Sequence, residues 1–379
     1  MTLLTKLYCI FLIIFCIHGK KCSKKATIAT FNTGLTPRLS EYEVRRKMIP
    51  AVVASLNADV ICLQELWFED DIKSVTEAAA NEKFDSYSSL NSAVNPISTK
   101  TSSLWTRTLQ AISDTPCLTW RLLPFLTCQF WYCRSKGKME LLQCMMKNCL
   151  SYVNAMPQEC LSCIVIGYAD PSTGVGRCVP LFHKYRRFNN QGLLLLSKMK
   201  IISARKQTFI DEKVKEILPR GYIEAKIDGI GTVICTHLTT NFSSTKYEYN
   251  LKYSSPKEQH ADEISHLCET FKYRHGKHII MGDLNTGPLS EKRDLWGDFP
   301  NNYKMFHRCG YTSSYEENNG TCTYCTYNSI QNNTTRGKLL DHILLTGQSY
   351  KNPKKIFTRR RKGKNLSDHF GIQVDVCFD

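Results

Sequence analysis

The chain has 379 residues, 42% of them hydrophobic and 11% aromatic, and these values exclude a largely disordered protein. This length suits one large domain or two small ones. The formal charge of +16 favours an anionic partner, either a lipid headgroup layer or a nucleic acid, without selecting between them.

Residues 1–20 have the pattern of a signal peptide. Lys6 precedes an apolar run over 7–17, and lysines follow from Lys20. The run is too short to cross a bilayer, which takes about 20 apolar residues. We therefore expect a signal peptide over 1–20, a mature chain over 21–379 and a secreted, extracellular protein.

The first part of the mature chain predicts two strands with a helix between them. "ATIATFN" (26–32) alternates as a strand does, and "ADVICLQELW" (58–67) is a β-rich run. Between them, "SEYEVRRKMIPAVVASLN" predicts a helix with Ser40 as N-cap and Glu43 at capping-box spacing. Pro50 is expected to kink this helix or divide it.

The regular pattern stops between about residues 81 and 167, where a cysteine-rich insertion is predicted at about 100–180. Two of the 18 cysteines lie in the signal peptide, and eight of the remaining 16 fall between Cys117 and Cys178. An even number at this density predicts a disulfide-rich insertion that closes on itself, with a connectivity that the sequence does not determine.

Two further expectations concern individual cysteines. Cys160 with Cys163, and Cys322 with Cys325, form Cys-x-x-Cys pairs, so a zinc module is the alternative to disulfides. The other two cysteines of interest lie within apolar strand runs and are expected to be buried thiols: Cys62 and Cys235.

After the insertion, strands dominate the pattern. They are predicted in "QGLLLLSK" (191–198), a hairpin in "YIEAKIDGIGTVICTHL" (222–238), "HIIMGDLN" (278–285), "LLDHILLT" (339–346) and "SDHFGIQVDV" (367–376), with a helix near 256–273. The whole chain therefore predicts a strand-rich α/β protein. Alternation along "HIIMGDLN" is expected to point the side chains of Asp283 and Asn285 to the same face of the strand.

Each predicted core strand carries a polar residue at or near one end. These residues are Asn32, Glu65, His237, Asp283 with Asn285, Asp341, and Asp368 with His369. They supply what metal-assisted phosphodiester hydrolysis requires, because Mg²⁺ prefers oxygen ligands and screens phosphoryl charge. A histidine can accept the proton of the attacking water near neutral pH, and a carboxylate can fix its tautomer.

The ordered set "FN", "LQE", "THL", "GDLN", "LDH" and "SDH" resembles the endonuclease/exonuclease/phosphatase superfamily, which has the deoxyribonuclease I-like fold. The resemblance covers about 26–376 except the irregular region. It implies an α/β fold in which two packed, mostly antiparallel sheets form a four-layer α/β sandwich with a disulfide-rich insertion. It also makes 21–379 the catalytic domain.

The resemblance implies a metal site. Glu65 corresponds to the main metal ligand and Asn32 to its helper, while Asp368 supports the metal or the base. The implied ion is Mg²⁺, with Mn²⁺ or Co²⁺ as replacements. Taken alone, Asn32 is equally a cap at the end of a strand.

The resemblance also assigns the reacting groups. His369 corresponds to the general base and Asp341 to the carboxylate that pairs with it. Asp283 would orient the nucleophilic water, Asn285 would bind the scissile phosphate, and His237 would donate to a phosphate oxygen. Taken alone, His237 is equally a core histidine with satisfied hydrogen bonds.

Local segments favour a lipid substrate. "QELWFEDD" (64–71), "THLTTN" (236–241) and "KEQHADEI" (257–264) are similar to neutral sphingomyelinases, although Lys257 stands where an arginine is usual. The resemblance implies a sphingomyelinase of phospholipase C type, which releases phosphocholine from sphingomyelin at a phospholipid membrane surface. A deoxyribonuclease I-like endonuclease, acting on nucleic acid, and a phosphatase for small phosphoesters are the alternatives. A binding protein without catalysis is disfavoured because Asp283 and His369 are both present.

The sequence leaves the role of two surface features undetermined. The insertion's "CLTWRLLPFLTCQFWYC" offers aromatic residues either to a membrane interface or to a small core of the insertion: Trp120, Phe125, Phe130, Trp131 and Tyr132. N-glycosylation sequons, which would fit a secreted glycoprotein, begin at Asn241, Asn319, Asn332, Asn333 and Asn365. The last lies so close to the predicted base that we do not expect its use.

Overall fold

A computed structural model describes residues 22, 24–90, 117, 122–134, 144–145, 147–167, 178, 187–210, 216, 218–241, 252–272, 276–331 and 335–378. The predicted signal peptide, Trp120 and the sequons at Asn332 and Asn333 lie outside these ranges. Within them, no helix has both the length and the apolar character needed to cross a membrane.

The strands form two six-stranded sheets. The first has the order β11-β12-β1-β2-β4-β3 and contains β1 (Lys24–Leu35), β2 (Val60–Leu66), β3 (Asp85–Ser88), β4 (Leu194–Ser197), β11 (Tyr350–Ile356) and β12 (Gly371–Phe378). The second has the order β5-β6-β7-β8-β10-β9 and contains β5 (Ile201–Thr208), β6 (Gly221–Ile227), β7 (Gly231–His237), β8 (His278–Asp283), β9 (Thr312–Ser313) and β10 (Asp341–Leu345). Strands β1–β2 and β7–β8 pair in parallel and the other neighbours are antiparallel, so the prediction of mostly antiparallel sheets is confirmed.

Helices cover the outer faces of the sheets. The described helices are α1 (Tyr42–Ala54), α2 (Glu69–Asn81), α3 (Leu122–Cys133), α4 (Leu150–Ala155), α5 (Gln158–Gly167), α6 (Pro256–Lys272), α7 (Pro300–Arg308) and α8 (Ser314–Glu317), with a 3₁₀ turn at Glu291–Arg293. Helices α1 and α2 pack on the first sheet together with α3–α5, and α6 and α7 pack on the second.

Period-two alternation along the strands builds the layers. In β1, Ile28 faces the core between the two sheets, whereas Ala29 and Phe31 face the helices. In β8, Met281 faces the central core and Ile280 faces α6 and α7. Each central strand is therefore apolar on both faces. The four-layer α/β sandwich predicted by the resemblance is confirmed.

The start of α1 differs from the prediction. The N-cap is Glu41, which has φ 59° and no side-chain capping bond, so Ser40 is not the cap. The helix begins one residue later than predicted, and the Ser40 carbonyl accepts a hydrogen bond at 3.0 Å from Nε of Arg45. Pro50 lies inside one continuous helix.

The insertion closes on itself through four disulfides, as predicted. Its eight cysteines pair as Cys117–Cys160, Cys128–Cys149, Cys133–Cys144 and Cys163–Cys178. The Cys-x-x-Cys at Cys322 and Cys325 is itself a disulfide. Since all of these sulfurs are paired, neither Cys-x-x-Cys is a zinc site.

The expectation of buried thiols at Cys62 and Cys235 is wrong. The two residues form a disulfide that joins β2 of one sheet to β7 of the other through the central core. Both residues point inward from strands of different sheets, and the sequence does not show that they face each other. Together with Cys22–Cys377 and Cys268–Cys309, this bond leaves all 16 cysteines outside the predicted signal peptide paired.

Candidate active site

Ends of strands from both sheets meet at one cleft of about 460 Å³. Six of the predicted site residues line it: Glu65, His237, Asp283, Asn285, Asp368 and His369. The remaining two, Asn32 and Asp341, are buried directly behind the wall and hydrogen-bond to residues in it. The structure therefore brings together all eight residues that the sequence selected.

His369 and Asp341 form a hydrogen-bonded pair. Nδ1 of His369 donates to Oδ2 of Asp341 at 2.9 Å, which leaves Nε2 on the side of the cleft, 3.7 Å from Oδ2 of Asp283. Burial alone would lower the pKa of His369, but the Asp341 and Asp283 carboxylates outweigh it and raise that pKa well above its ordinary value. The Tyr324 ring packs on the imidazole, with its centroid at 4.9 Å.

Asp283 lies at the centre of the cluster. Its Oδ2 accepts a hydrogen bond from Asn32 Nδ2 at 2.9 Å, and Nε2 of His237 is 3.4 Å from the same oxygen. Burial would raise the pKa of Asp283, but the neighbouring histidines, His369 first, hold it below its ordinary value. An ionised carboxylate accepts hydrogen bonds, so this group can orient a water molecule.

Asn285 reaches the cleft by a turn and not by strand alternation. Strand β8 ends at Asp283, and Asn285 has φ 47° in the left-handed region. Its backbone N–H donates to Asp283 Oδ1 at 2.9 Å, and its Nδ2 donates to the Leu238 carbonyl at 2.8 Å. The two side chains do line one cleft, as expected, but local asparagine–aspartate turn chemistry places them there.

Gly282 allows β7 and β8 to approach closely at this point. It has φ 154°, and a Cβ added there would lie 1.9 Å from the carbonyl oxygen of Thr236. No other residue fits, because that oxygen belongs to the backbone of the neighbouring strand. This close approach sets His237 beside Asp283, its register partner.

Glu65, the residue before the last of β2, has a strained conformation. Its φ is 59°, a region that residues other than glycine rarely occupy unless the surroundings fix them. Asn32 Nδ2 donates to Glu65 Oε1 at 3.1 Å, and Asn32 Oδ1 accepts from the Gly34 N–H at 3.0 Å. The Asn32 amide thus holds the carboxylates of both Glu65 and Asp283.

The carboxylates of Glu65 and Asp368 suit a divalent cation. Burial and the charge of Glu65 raise the pKa of Asp368, against the opposing effect of His369. Two like charges that disfavour each other in a cleft are stabilised by a hard cation, which prefers oxygen ligands.

A second group of potential ligands lies beside them. The ligand atoms of Asp283, Asp341 and His369 lie within 4.8 Å of one another and could also hold a metal ion. Asp341 and His369 of this group are already hydrogen-bonded to each other.

Sequence reasoning missed Arg45, which holds two site segments together. Its buried guanidinium donates to the carbonyls of Thr33, Gly34 and Leu366 at 2.8–3.2 Å. These carbonyls lie just after Asn32 and just before Asp368. In the sequence, Arg45 is one of three consecutive basic residues and is not distinguished from a solvated helix face.

Two cleft residues with aromatic or cationic side chains were also missed. Arg220 immediately precedes β6, is 5% exposed and lines the cleft, and its Nη1 has no hydrogen-bond partner among the described residues. Tyr324 lies inside the Cys322–Cys325 disulfide and covers His369. The basic residue directly before "GYIEAKI" was the available signal for Arg220.

The insertion reaches the edge of the cleft. Ile166, near the end of α5, lines it, and the Ile166 carbonyl accepts a hydrogen bond from Thr36 Oγ1 at 3.4 Å. At the start of α5, Gln158 Oε1 accepts a hydrogen bond from the Glu216 N–H at 3.0 Å. The cysteine-rich insertion is therefore hydrogen-bonded to segments that precede it and follow it in the chain.

Comparisons with known proteins agree with this architecture. The family model described as the Endonuclease/Exonuclease/phosphatase family matches residues 29–369. The crystal structure of SmcL is similar over 93% of this chain and 99% of its own, with 13% identity and a TM-score of 0.50. Truncated TDP2 from Caenorhabditis elegans (12% identity, 93% and 98% coverage, TM-score 0.49) and an endonuclease/exonuclease/phosphatase from Beutenbergia cavernae (12%, 94% and 72%, 0.46) are also similar. A sequence comparison with curated proteins gave no match.

Proposed function

Because the chain belongs to the endonuclease/exonuclease/phosphatase family and its strand ends assemble a histidine–carboxylate site, we propose that it is a metal-dependent phosphodiesterase. The observation that carries this proposal is the His369–Asp341 pair beside Asp283, Asn285 and Glu65 in one cleft. A structural core has no need of so many polar groups turned toward one opening.

In the proposed reaction, water attacks phosphorus and the bond from phosphorus to the leaving oxygen breaks. Asp283 accepts one hydrogen bond from the water, and Nε2 of His369 takes its proton, since Nδ1 is engaged by Asp341. Asp341 fixes the tautomer and stabilises the imidazolium that forms. The protonated His369 then gives the proton to the leaving alkoxide oxygen, so that one water is consumed for each ester bond broken.

Phosphate oxygens would be held by Asn285, His237 and Arg220. Burial, and then the charge of Arg220, lower the pKa of His237, so this imidazole is neutral. The buried Nη1 of Arg220 is a charged donor at the cleft wall and suits an anionic oxygen.

The resident cation is proposed to be Mg²⁺, held by Glu65 and Asp368 with Asn32 as support; Mn²⁺ or Co²⁺ could replace it. A divalent ion at this place would polarise a phosphoryl oxygen and stabilise the charge that develops in the transition state. Its charge would also weaken the effect of the carboxylates that raise the pKa of His369.

The proposed substrate is sphingomyelin, cleaved to phosphocholine and ceramide. The support is the likeness of three segments to neutral sphingomyelinases, and two of these segments touch in the fold. Thr239 donates to Glu263 through its backbone N–H at 2.8 Å and its Oγ1 at 2.6 Å. The cleft volume of about 460 Å³ lies in the range of small-molecule sites.

Secretion is part of the proposal. Eight disulfides indicate an oxidising compartment. The apolar run over 7–17 supports a signal peptide that would deliver the chain there.

A deoxyribonuclease-like endonuclease is the second candidate, favoured by one observation. Arg359, Arg360 and Arg361 are exposed, ahead of the segment that carries His369, and could contact successive phosphates of a strand. The net charge of +16 supports the same partner.

A side-by-side assay separates these substrates. The purified mature protein is given sphingomyelin vesicles, plasmid DNA and a small phosphomonoester, each with Mg²⁺ and with a chelator. Metal-dependent phosphocholine release without nicking is expected. Nicking alone would replace the lipid substrate by DNA, and release of phosphate from the monoester alone would replace it by a small phosphoester.

A further inference from the structure

Helix α3 of the insertion exposes an apolar stripe along its whole length. Leu123, Leu126, Phe130 and Trp131 follow helical spacing and are 71%, 36%, 54% and 72% exposed, respectively. The opposite side of the helix is buried through Leu122, Phe125 and Cys133. Among the aromatic residues of this segment, therefore, Phe125 serves the core of the insertion and Phe130 and Trp131 do not.

The stripe cannot turn inward. Cys128 and Cys133 tie the buried side of α3 to Cys149 and Cys144, so rotation of the helix would break two disulfides. Apolar side chains scattered singly on a surface are ordinary, but four on one face of one helix are typical of a contact surface.

A cation at the C-terminal end of this face matches an anionic surface. Arg134 follows the helix, is exposed, and lies over the Phe130 ring at 5.3 Å. Cations beside exposed Trp and Phe are the arrangement found where a helix meets lipid headgroups.

We propose that the outer face of α3 is a membrane-contacting surface, which lies in the headgroup zone of a phospholipid bilayer. The 12-residue helix is about 18 Å long, which suits a helix lying in the plane of the interface and not one that spans the bilayer. The inference deepens the proposed function, on which its biological meaning rests, because it supplies the surface that would bring a lipid-cleaving site to its substrate.

The position of the insertion supports this partner. Disulfide Cys128–Cys149 couples α3 to the residue before α4, and α5 follows α4 directly and ends at the cleft beside Ile166. A bilayer that contacts α3 is thus connected to the cleft by a short, cross-linked path.

The test uses the full mature protein and two double variants. Leu123→Ser/Trp131→Ser replaces the two most exposed of the four residues of the stripe. Ile202→Ser/Leu289→Ser replaces two exposed apolar residues elsewhere and is the matched control. Vesicles of phosphatidylcholine and sphingomyelin, with and without phosphatidylserine, are used for flotation. Hydrolysis of a soluble chromogenic phosphodiester, melting temperature and mass by light scattering are measured in parallel.

The stripe variant is expected to bind vesicles at least tenfold more weakly, with unchanged hydrolysis of the soluble ester, while the control variant binds as the wild type does. Wild-type protein that binds vesicles without cleaving sphingomyelin would refute the lipid substrate and leave the surface intact. Equal vesicle binding by wild type and stripe variant would overturn the inference. A stripe variant that changes from dimer to monomer with unchanged vesicle binding would assign the face to a second copy of the chain and overturn it as well.

Discussion

Asp341 and His369 lie 28 residues apart, the first at the start of β10 and the second just before β12, and their side chains meet at 2.9 Å. The two strands belong to different sheets, so this hydrogen bond crosses the sandwich at the cleft. It fixes one nitrogen of the imidazole and leaves the other on the side of the cleft.

Removal of the Asp341 charge is expected to slow the reaction and to change its pH profile. Asp341→Asn should lower kcat by roughly 10²-fold or more, and His369→Ala by at least as much. Because Asp341 raises the pKa of His369, the asparagine variant should move the acid limb of the kcat/KM profile to lower pH. If kcat/KM falls while the pH of the acid limb stays the same, Asp341 contributes only to the stability of the fold and does not set the pKa of His369.

The metal requirement is expected to depend on Glu65. Glu65→Gln keeps the shape of the side chain and removes its charge. The Mg²⁺ concentration for half-maximal activity should therefore rise by at least roughly 10-fold, because loss of even a residue that only hydrogen-bonds to a metal ligand weakens metal affinity by that factor. Glu224→Gln, on the exposed edge hairpin, is the matched control. Unchanged Mg²⁺ titration in the Glu65 variant would place the ion elsewhere, beginning with Asp283, Asp341 and His369.

Arg220 is expected to contribute to phosphate binding. Arg220→Met keeps much of the side-chain volume and removes a charged donor, which should reduce kcat/KM by about 10- to 100-fold, equivalent to about 1.5–3 kcal/mol. Arg205→Met removes a surface arginine that pairs with Glu224 and should leave the kinetics unchanged. Equal kinetics for the two variants would remove Arg220 from the site.

Stability is expected to fall as the pH rises, because of a buried glutamate. Burial, and then the charge of Glu263, raise the pKa of Glu216 from 4.5 to about 8, although Gln259 Nε2 donates to it at 2.6 Å. Below pH 4.5 Glu216 is protonated in both the folded and the unfolded state. Above that pH the unfolded chain releases its proton first, so the stabilising contribution is lost progressively up to about pH 8.

Glu216→Gln should therefore raise the melting temperature near pH 8.5 by about 2–4 °C and have little effect near pH 5. Thermal denaturation across this pH range measures the difference. Parallel curves for wild type and variant would show that Glu216 titrates normally in the folded protein.

The sequence was sufficient to predict the strands that carry the polar residues of the candidate site. Asn32, Glu65, His237 and Asp283 follow apolar runs whose alternation and turn residues are local properties, so their positions at or near strand ends could be predicted. Strand β1 nevertheless continues for three residues beyond Asn32. The even cysteine count between Cys117 and Cys178 likewise predicted a self-contained, cross-linked insertion.

Elements at the edges of the sheets were not predicted. Strand β11, with the sequence YKNPKKI, contains Pro353 and three lysines and has no apolar alternation. It forms because it lies at the edge of its sheet, where proline and lysine are tolerated. The exposed strand β5 at the edge of the second sheet was missed for the same reason.

Asn365 shows how a local motif and its surroundings can disagree. The sequon was not expected to be used, and the side chain is in fact 2% exposed, with its Oδ1 accepting from the Ser329 N–H and hydroxyl. A buried, bonded amide in the folded chain is not accessible for modification. The sequence supplied the motif, and the fold decided its accessibility.

What the sequence determined about this protein is local: which segments are the central strands, about where they end and which polar side chains lie there. What only the tertiary structure decided is which groups meet. The Cys62–Cys235 bond, the three carbonyls held by Arg45 and the exposed face of α3 each depend on segments far apart in the chain. Period and turn chemistry act over a few residues, whereas these contacts are set by how sheets and helices pack, which no local pattern encodes.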